Sequence, residues 1–295
     1  MVHRETAGRG TLFIVATPIG NLEDITLRAL RVLKEVSLVA AEDTRRVRKL
    51  LQAYGIKTPV MSLYDQVESK KAPLLIARLR EGKDVAYVCD AGTPLVSDPG
   101  YVLVRQAVED GVPVVPVPGP SAVIAALSVA GLPTDRFVFC GFPPSKAARR
   151  RAFFKSLAGE TGTLVFFESP RRLQACLEDL HALWGDRRAA VTRELTKKFE
   201  TIYRGTLSEL RLRLKPERVR GEITLLVEGS RSGIPEAAPV DLRGRIRKLR
   251  ENPSLTNRDI VAILVSETRL PRREIYREVL QKQPPDRRGI LSEKA

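Results

Sequence analysis

DAGTPLVSDPG, residues 90–100, stands between an apolar run, VAYVC at 85–89, and an amphipathic run from Tyr101 to Glu109. The short apolar run, bounded by turn residues, predicts a buried strand, and the longer one predicts a helix. Two glycines, two prolines and two aspartates lie in the stretch between them. Gly92 lets backbone approach a ligand with no Cβ in the way. Asp98-Pro99 has N-cap and then N1 chemistry, so the next helix is expected to open there. In an alternating α/β chain, ligands bind at the loops on the carboxyl ends of strands. A connection of eleven residues is long for an ordinary βα turn.

Working outward, strand and helix patterns alternate. Strands are expected at 11–19, 37–41, 59–63 and 112–117, and helices at 25–36, 47–54, 69–80 and 122–130. Such alternation argues for a largely parallel sheet covered on both faces. A second cycle begins at Phe137, with strands at 137–142, 163–167, 189–193, 199–203 and 223–228 and helices at 171–183 and 207–214. Some of its connections are short enough for antiparallel pairing. Residues 229–239 read as a linker. Beyond it come three helix patterns, at 241–251, 257–267 and 272–281, the last two spaced like a helix-turn-helix. The fold class expected is therefore α/β. An α/β domain is expected at 11–133 and a second at 134–230, and a basic helical domain follows at 240–295.

The composition narrows the function. The chain has 295 residues, 50 Lys+Arg against 35 Asp+Glu and a net charge of +15. So basic a balance favours a polyanionic partner, with nucleic acid foremost. No apolar stretch approaches membrane-spanning length and MVHRETAGRG has no signal-peptide centre, so a cytoplasmic protein without a membrane partner is expected. Two histidines and three scattered cysteines leave little room for histidine-based catalysis or a metal centre. Residues 240–295 carry 14 Lys+Arg and 8 Asp+Glu, a local +6, which suits either nucleic-acid binding or dimerisation.

No G-x-G-x-x-G follows the first strand and there is no G-K-[ST] phosphate loop, so nucleoside triphosphate and ordinary dinucleotide sites have weak support. Four loops remain, at 18–21, 42–46, 90–100 and 118–122, all at expected carboxyl ends of strands. If the sheet is parallel they converge. Pro118-Gly119-Pro120 supplies a stiff lip, and Ser121 a hydroxyl or amide.

ATPIGNLEDIT at 16–26, AEDTR at 41–45, DAGTPLVSDPG at 90–100 and PGPSA at 118–122 resemble tetrapyrrole methylase-type methyltransferases. FESPRRL at 167–173 and RELTKKFET at 193–201 point, within that superfamily, to the enzymes that methylate a cytidine 2′-hydroxyl of 16S ribosomal RNA at the decoding centre. The resemblance covers residues 11–228. It implies S-adenosylmethionine bound between the two α/β domains, a homodimer, and 16S rRNA or the assembled 30S subunit as substrate. Cofactor contacts carry over to Pro18, Gly20, Gly92, Thr93, Pro94, Val96, Ser121, Ala122, Phe167, Ile223 and Thr224. Thr93 stands where related methylases have an acidic residue.

Methyl transfer from a sulfonium needs alignment above all, and the ribose hydroxyl must lose its proton at or near attack. Candidate acceptors are Glu42, Asp43, Glu168 and Glu194, or Lys197 with a lowered pKa. Arg171 and Arg172 beside Glu168 could hold phosphate. The plainer alternative is a Glu168–Arg171 salt bridge that caps a helix. Arg45–Lys49, with Arg46 and Arg48, and Lys146–Lys155, with Arg149, Arg150 and Arg151, form two basic patches expected to face RNA, the plainer alternative being solvated helix faces. With 5% aromatic residues, no stacking platform is evident, and grip through phosphate and shape is expected. The alternatives are a methyltransferase for a tetrapyrrole-like small molecule and a non-catalytic rRNA-binding assembly factor.

Overall fold

The computed structural model describes residues 8–214, 221–230, 242–268 and 272–280. The chain divides into two compact units, Met1–Ser230 and Arg231–Ala295.

In the first unit, β1 (Leu12–Val15), β2 (Leu38–Ala41), β3 (Val60–Ser62), β4 (Val85–Val88) and β5 (Val114–Val117) form a parallel sheet in the order β3-β2-β4-β1-β5. β2 and β4 are apolar and buried throughout because both faces of the sheet are covered. Val39, Ala41, Ala86 and Val88 pack on α1 (Leu27–Glu35) and α2 (Thr44–Ala53). The alternate residues Leu38, Ala40, Val85 and Tyr87 pack on α3 (Asp65–Arg80) and α4 (Tyr101–Glu109). This is the two-residue strand period, used on both sides. All five strands point the same way, so every loop that follows a strand lies on one edge.

Helix starts depart from expectation. α2 begins at Thr44 rather than Val47, because the Asp43 side chain accepts the Arg45 amide at 2.8 Å and caps it. α3 begins at Asp65, four residues early, and runs through Pro73. Asp98 does not cap α4. The N-cap is Gly100, at φ 118°, where any Cβ would run into the Tyr87 ring. The orphan amide of Leu103 is instead taken by the buried Glu68 carboxylate of α3 at 3.0 Å.

The second sheet has the order β6-β7-β10-β8-β9. It comprises β6 (Phe137–Phe139), β7 (Thr163–Glu168), β8 (Arg188–Arg193), β9 (Thr201–Thr206) and β10 (Ile223–Val227). Only β6 and β7 are parallel; the other pairs are antiparallel. One face packs on α6 (Ala147–Ser156), α7 (Pro170–Trp184) and α8 (Leu207–Arg213) through Phe154, Phe166, Leu177 and Leu210. The other face packs on α5 (Ala122–Ala130), whose Val123, Ala126 and Leu127 meet Val165, Ala190 and Leu226. A helix that follows the first sheet thus forms the floor of the second. Phe142, expected in a strand, lies beyond the end of β6.

The second unit packs α9 (Leu242–Arg250), α10 (Asn257–Thr268) and α11 (Arg272–Leu280) around Ile246, Ile260, Leu264 and Ile275. Arg245 and Arg243 pair with Glu267 and Glu278 at 2.7 and 3.3 Å, so part of its basic charge is structural. Most of the expected linker and the α10–α11 turn lie outside the described residues. No helix among the described residues is long and apolar enough to cross a membrane.

Candidate functional site

The four loops meet. Thr17 and Gly92 exchange amide–carbonyl bonds, each 2.9 Å, joining the loop after β1 to the long loop after β4. The Thr93 hydroxyl donates to the Pro120 carbonyl at 3.1 Å, tying in the loop after β5. The Asp43 amide donates to the Asp90 carboxylate at 2.9 Å, tying in the loop after β2. Gly119 lies so close to Ala16 that a Cβ there would sit 3.0 Å from the alanine methyl. Leu95 and Ser97 take left-handed backbone, φ 71° and 66°, a conformation that side-chain-bearing residues hold only where the surroundings enforce it. Between them Val96 lines the cleft.

The cleft holds about 360 Å³. Ile19, Arg46, residues 90–93 and 96–98, Ser121 and Ala122 line it from the first sheet's edge. Phe142, residues 167–170, Thr192, Leu195 and residues 221–224 line it from the second.

Of the residues assigned to a cofactor, Gly92, Thr93, Val96, Ser121, Ala122, Phe167, Ile223 and Thr224 line this cleft. Pro94 is buried and does not line it, and Pro18 lines a smaller adjoining pocket of about 190 Å³. Gly20 touches the loop after β8, where a Cβ would run into the Lys197 side chain.

The candidate proton acceptors are rearranged by the structure. Lys197 is a strut: its Nζ lies 2.8 Å from Glu194 and 3.0 Å from Glu222. Desolvation works to lower its pKa, but these two carboxylates overcome it and raise it, the opposite of what a lysine base requires. Partial burial works to raise the Glu194 carboxyl, yet the bonds from Lys197 and the Glu222 amide leave it below its ordinary value. Neither lines the cleft. Glu42 does not line it either; burial first, then Asp90, Asp98 and Asp65, raises its pKa. Asp43 is committed to capping α2 and to Arg45, whose side-chain bond holds it well below the ordinary carboxylate range.

Glu168 lies at the cleft wall, but its side chain is 0% exposed. Its carboxylate accepts the Ser169 amide at 2.7 Å and pairs with Arg172 Nε at 3.1 Å. Burial raises its pKa despite these donors. It anchors the corner between β7 and α7, with Arg172 rather than the expected Arg171 as its partner. Arg172 also donates to the Pro143 carbonyl, so it is not presented to phosphate.

The basic patches are also redrawn. Arg150 is buried, with its guanidinium 2.7 Å from Asp179, because it lies one helical turn before the core residue Phe154. Arg45 folds back on Asp43 at 2.7 Å, and Arg46 reaches the cleft at 3.4 Å from Asp90. Lys146, Arg149, Arg151, Lys155 and Arg171 are exposed. Sequence reasoning missed Asp98, Phe142, Thr192, Leu195, Gly221 and Glu222 as lining residues. Gly-Phe-Pro-Pro after a strand was a usable signal for Phe142. Asp98 lies in the loop the sequence singled out, whereas Thr192, Leu195, Gly221 and Glu222 depend on pairing between distant strands.

The family described as Tetrapyrrole (Corrin/Porphyrin) Methylases matches residues 11–211. The chain is 53% identical over 223 residues to "Ribosomal RNA small subunit methyltransferase I" of Pseudomonas aeruginosa, covering 75% of this chain and 79% of that protein. It is 47% identical over 281 residues to the protein of the same name in Micromonospora olivasterospora, covering 93% and 88%. That similarity reaches into the C-terminal unit. Among solved structures, the uroporphyrin-III-C-methyltransferase of Thermus thermophilus shares the fold with a TM-score of 0.54 at 24% identity, over 75% of this chain and 94% of that one. A diphthine synthase does so with 0.56 at 16%, over 74% and 90%. The matched segment holds all four loops of the cleft, and with relatives this close the chain belongs to the tetrapyrrole (corrin/porphyrin) methylases, in the branch of ribosomal RNA small subunit methyltransferase I.

Proposed function

We propose that this chain transfers a methyl group from S-adenosylmethionine to the 2′-hydroxyl of a cytidine in 16S ribosomal RNA, at the decoding centre of the small subunit. The observation that carries this reading is the 47% identity, over 93% of the chain, to a protein named for small-subunit ribosomal RNA methylation. The basic charge supports it, since a small-molecule acceptor requires no such field. Residues 11–133 and 134–230 supply the two sides of the cleft in this reading. A cytoplasmic homodimer follows from the same resemblance.

The cleft suits the cofactor. Its volume falls in the range of small-molecule sites. Ile19, Val96, Phe167 and Ile223 offer apolar walls for a purine, and Asp90 and Asp98 offer negative charge near a sulfonium. No side chain caps the first turn of α5, which opens at Ser121 and Ala122 and favours a carboxylate. When bound, the cofactor supplies a methyl group already activated for transfer. This chain's residues align the acceptor and remove its proton. With the cofactor bound, Asp98 would take the proton of the acceptor hydroxyl. That carboxylate is half-buried on the cleft wall, beside the Cys89 thiol.

The test is incubation of labelled S-adenosylmethionine with assembled small subunits, naked ribosomal RNA and a porphyrinogen, followed by location of the label. Label on a cytidine ribose is the expected result. Label in the macrocycle selects small-molecule methylation, and no label anywhere selects a non-catalytic assembly factor.

A further inference from the structure

Phe142 is 59% exposed at the cleft, yet its backbone is held on both sides. Gly141, at φ 63°, turns the chain, and its carbonyl accepts the Phe167 amide at 3.0 Å. Pro143 is buried and its carbonyl takes the Arg172 guanidinium. One side of the Phe142 ring rests on Phe167, with centroids 5.5 Å apart, and Phe167 in turn meets Phe139 at 4.9 Å. The rest of the ring is open. Exposed Lys146 and Arg149 follow within seven residues. A ring on a held backbone, followed in the chain by exposed cations, suits the grip of an unstacked base: the ring takes its face and the cations hold the neighbouring phosphates.

We propose that Phe142 stacks on the base of the nucleotide presented to the cleft. The inference rests on the ribosomal RNA reading above. A nucleotide that leaves the stack to enter the cleft loses its neighbours, and a ring at the mouth offsets the lost stacking.

Steady-state methyl transfer to assembled small subunits tests this with Phe142→Ala, Phe142→Leu and Phe142→Trp, alongside calorimetric S-adenosylmethionine affinity and solution mass. Phe142→Ala is expected to raise KM for RNA about 10-fold, as loss of a stacking aromatic does. Its kcat and cofactor affinity stay within about twofold of wild type, and its solution mass is unchanged. Phe142→Trp restores KM, whereas Phe142→Leu, apolar and of similar bulk, does not. Leucine matching wild type, an unchanged KM, a fall in cofactor affinity, or a loss of dimer mass each overturns the proposal. If wild-type protein transfers nothing to RNA, the functional reading fails and this inference with it. Wild-type transfer with an unaffected Phe142→Ala sinks the stacking alone.

Discussion

Asp98 carries the sharpest test at the scale of one residue. Burial pushes its carboxyl above the ordinary 3.8, the neighbouring Cys89 thiol draws it back, and Asp90 and Asp65 add to the rise. A base acts deprotonated, so the rate is expected to be lost as pH falls through that raised value and to recover toward neutrality. Asp98→Asn keeps the shape of the side chain but cannot take a proton. Its kcat is expected to fall about 10²-fold or more, the lower end of general-base effects. The acid limb of the pH profile disappears with it. Stability moves the other way. A carboxyl whose folded pKa is raised favours the fold only when protonated, so at neutral pH the neutral amide removes a penalty. Slower turnover without loss of stability is thus the signature, read from single-turnover kinetics and urea unfolding. An unchanged kcat would mean that alignment alone accelerates the reaction.

At the scale of elements, the long loop after β4 is held at its far end by α4, and α4 is held by Glu68. Glu68→Ala removes a buried acceptor from the Leu103 amide. The expected cost is about 1–2 kcal/mol, the worth of a helix cap. Glu68→Gln, which keeps an acceptor, is expected to lose less. Urea unfolding of the two variants checks this, and equal losses would show that packing rather than the cap matters. The same helix marks what the sequence could show. Glycine, proline and apolar runs are local signals, and they located the four loops, both sheets and the C-terminal helices. Asp98-Pro99 has the chemistry of a helix start, but Tyr87 and Glu68, far away in sequence, moved the start to Gly100-Tyr101. Lys146, Arg149 and Arg150 look alike in composition, and only the helical phase set by Phe154 turns Arg150 inward. Lys197 resembled a base until Glu194 and Glu222, brought together by the pairing of β8 and β10, enclosed it.

For the whole molecule, the net charge of +15 overstates what RNA can meet. Arg150 and Arg172 are spent on largely buried carboxylates, and Arg45, Arg243 and Arg245 pair with carboxylates at the surface. On the cleft or in the segments beside it, Arg46, Lys146, Arg149 and Arg171 remain exposed. Each phosphate contact to single-stranded RNA contributes about −0.7 to the slope of log affinity against log salt. Four contacts give a slope of about −3, or roughly a 50-fold loss of affinity for a fourfold rise in salt. Binding of a decoding-region RNA fragment between low and moderate salt measures this, and a flat dependence removes the electrostatic grip. Two arginines separate surface from structure. Arg149→Ala is expected to reduce the magnitude of the slope by nearly one contact's worth while leaving unfolding unchanged. Arg150→Ala leaves Asp179 without its buried partner, so it lowers stability by about 3 kcal/mol and leaves the slope of the remaining folded protein as it was. Were Arg150 to change the slope instead, the inward rotation of α6 would be wrong, and the basic face would have to be drawn from the sequence pattern again.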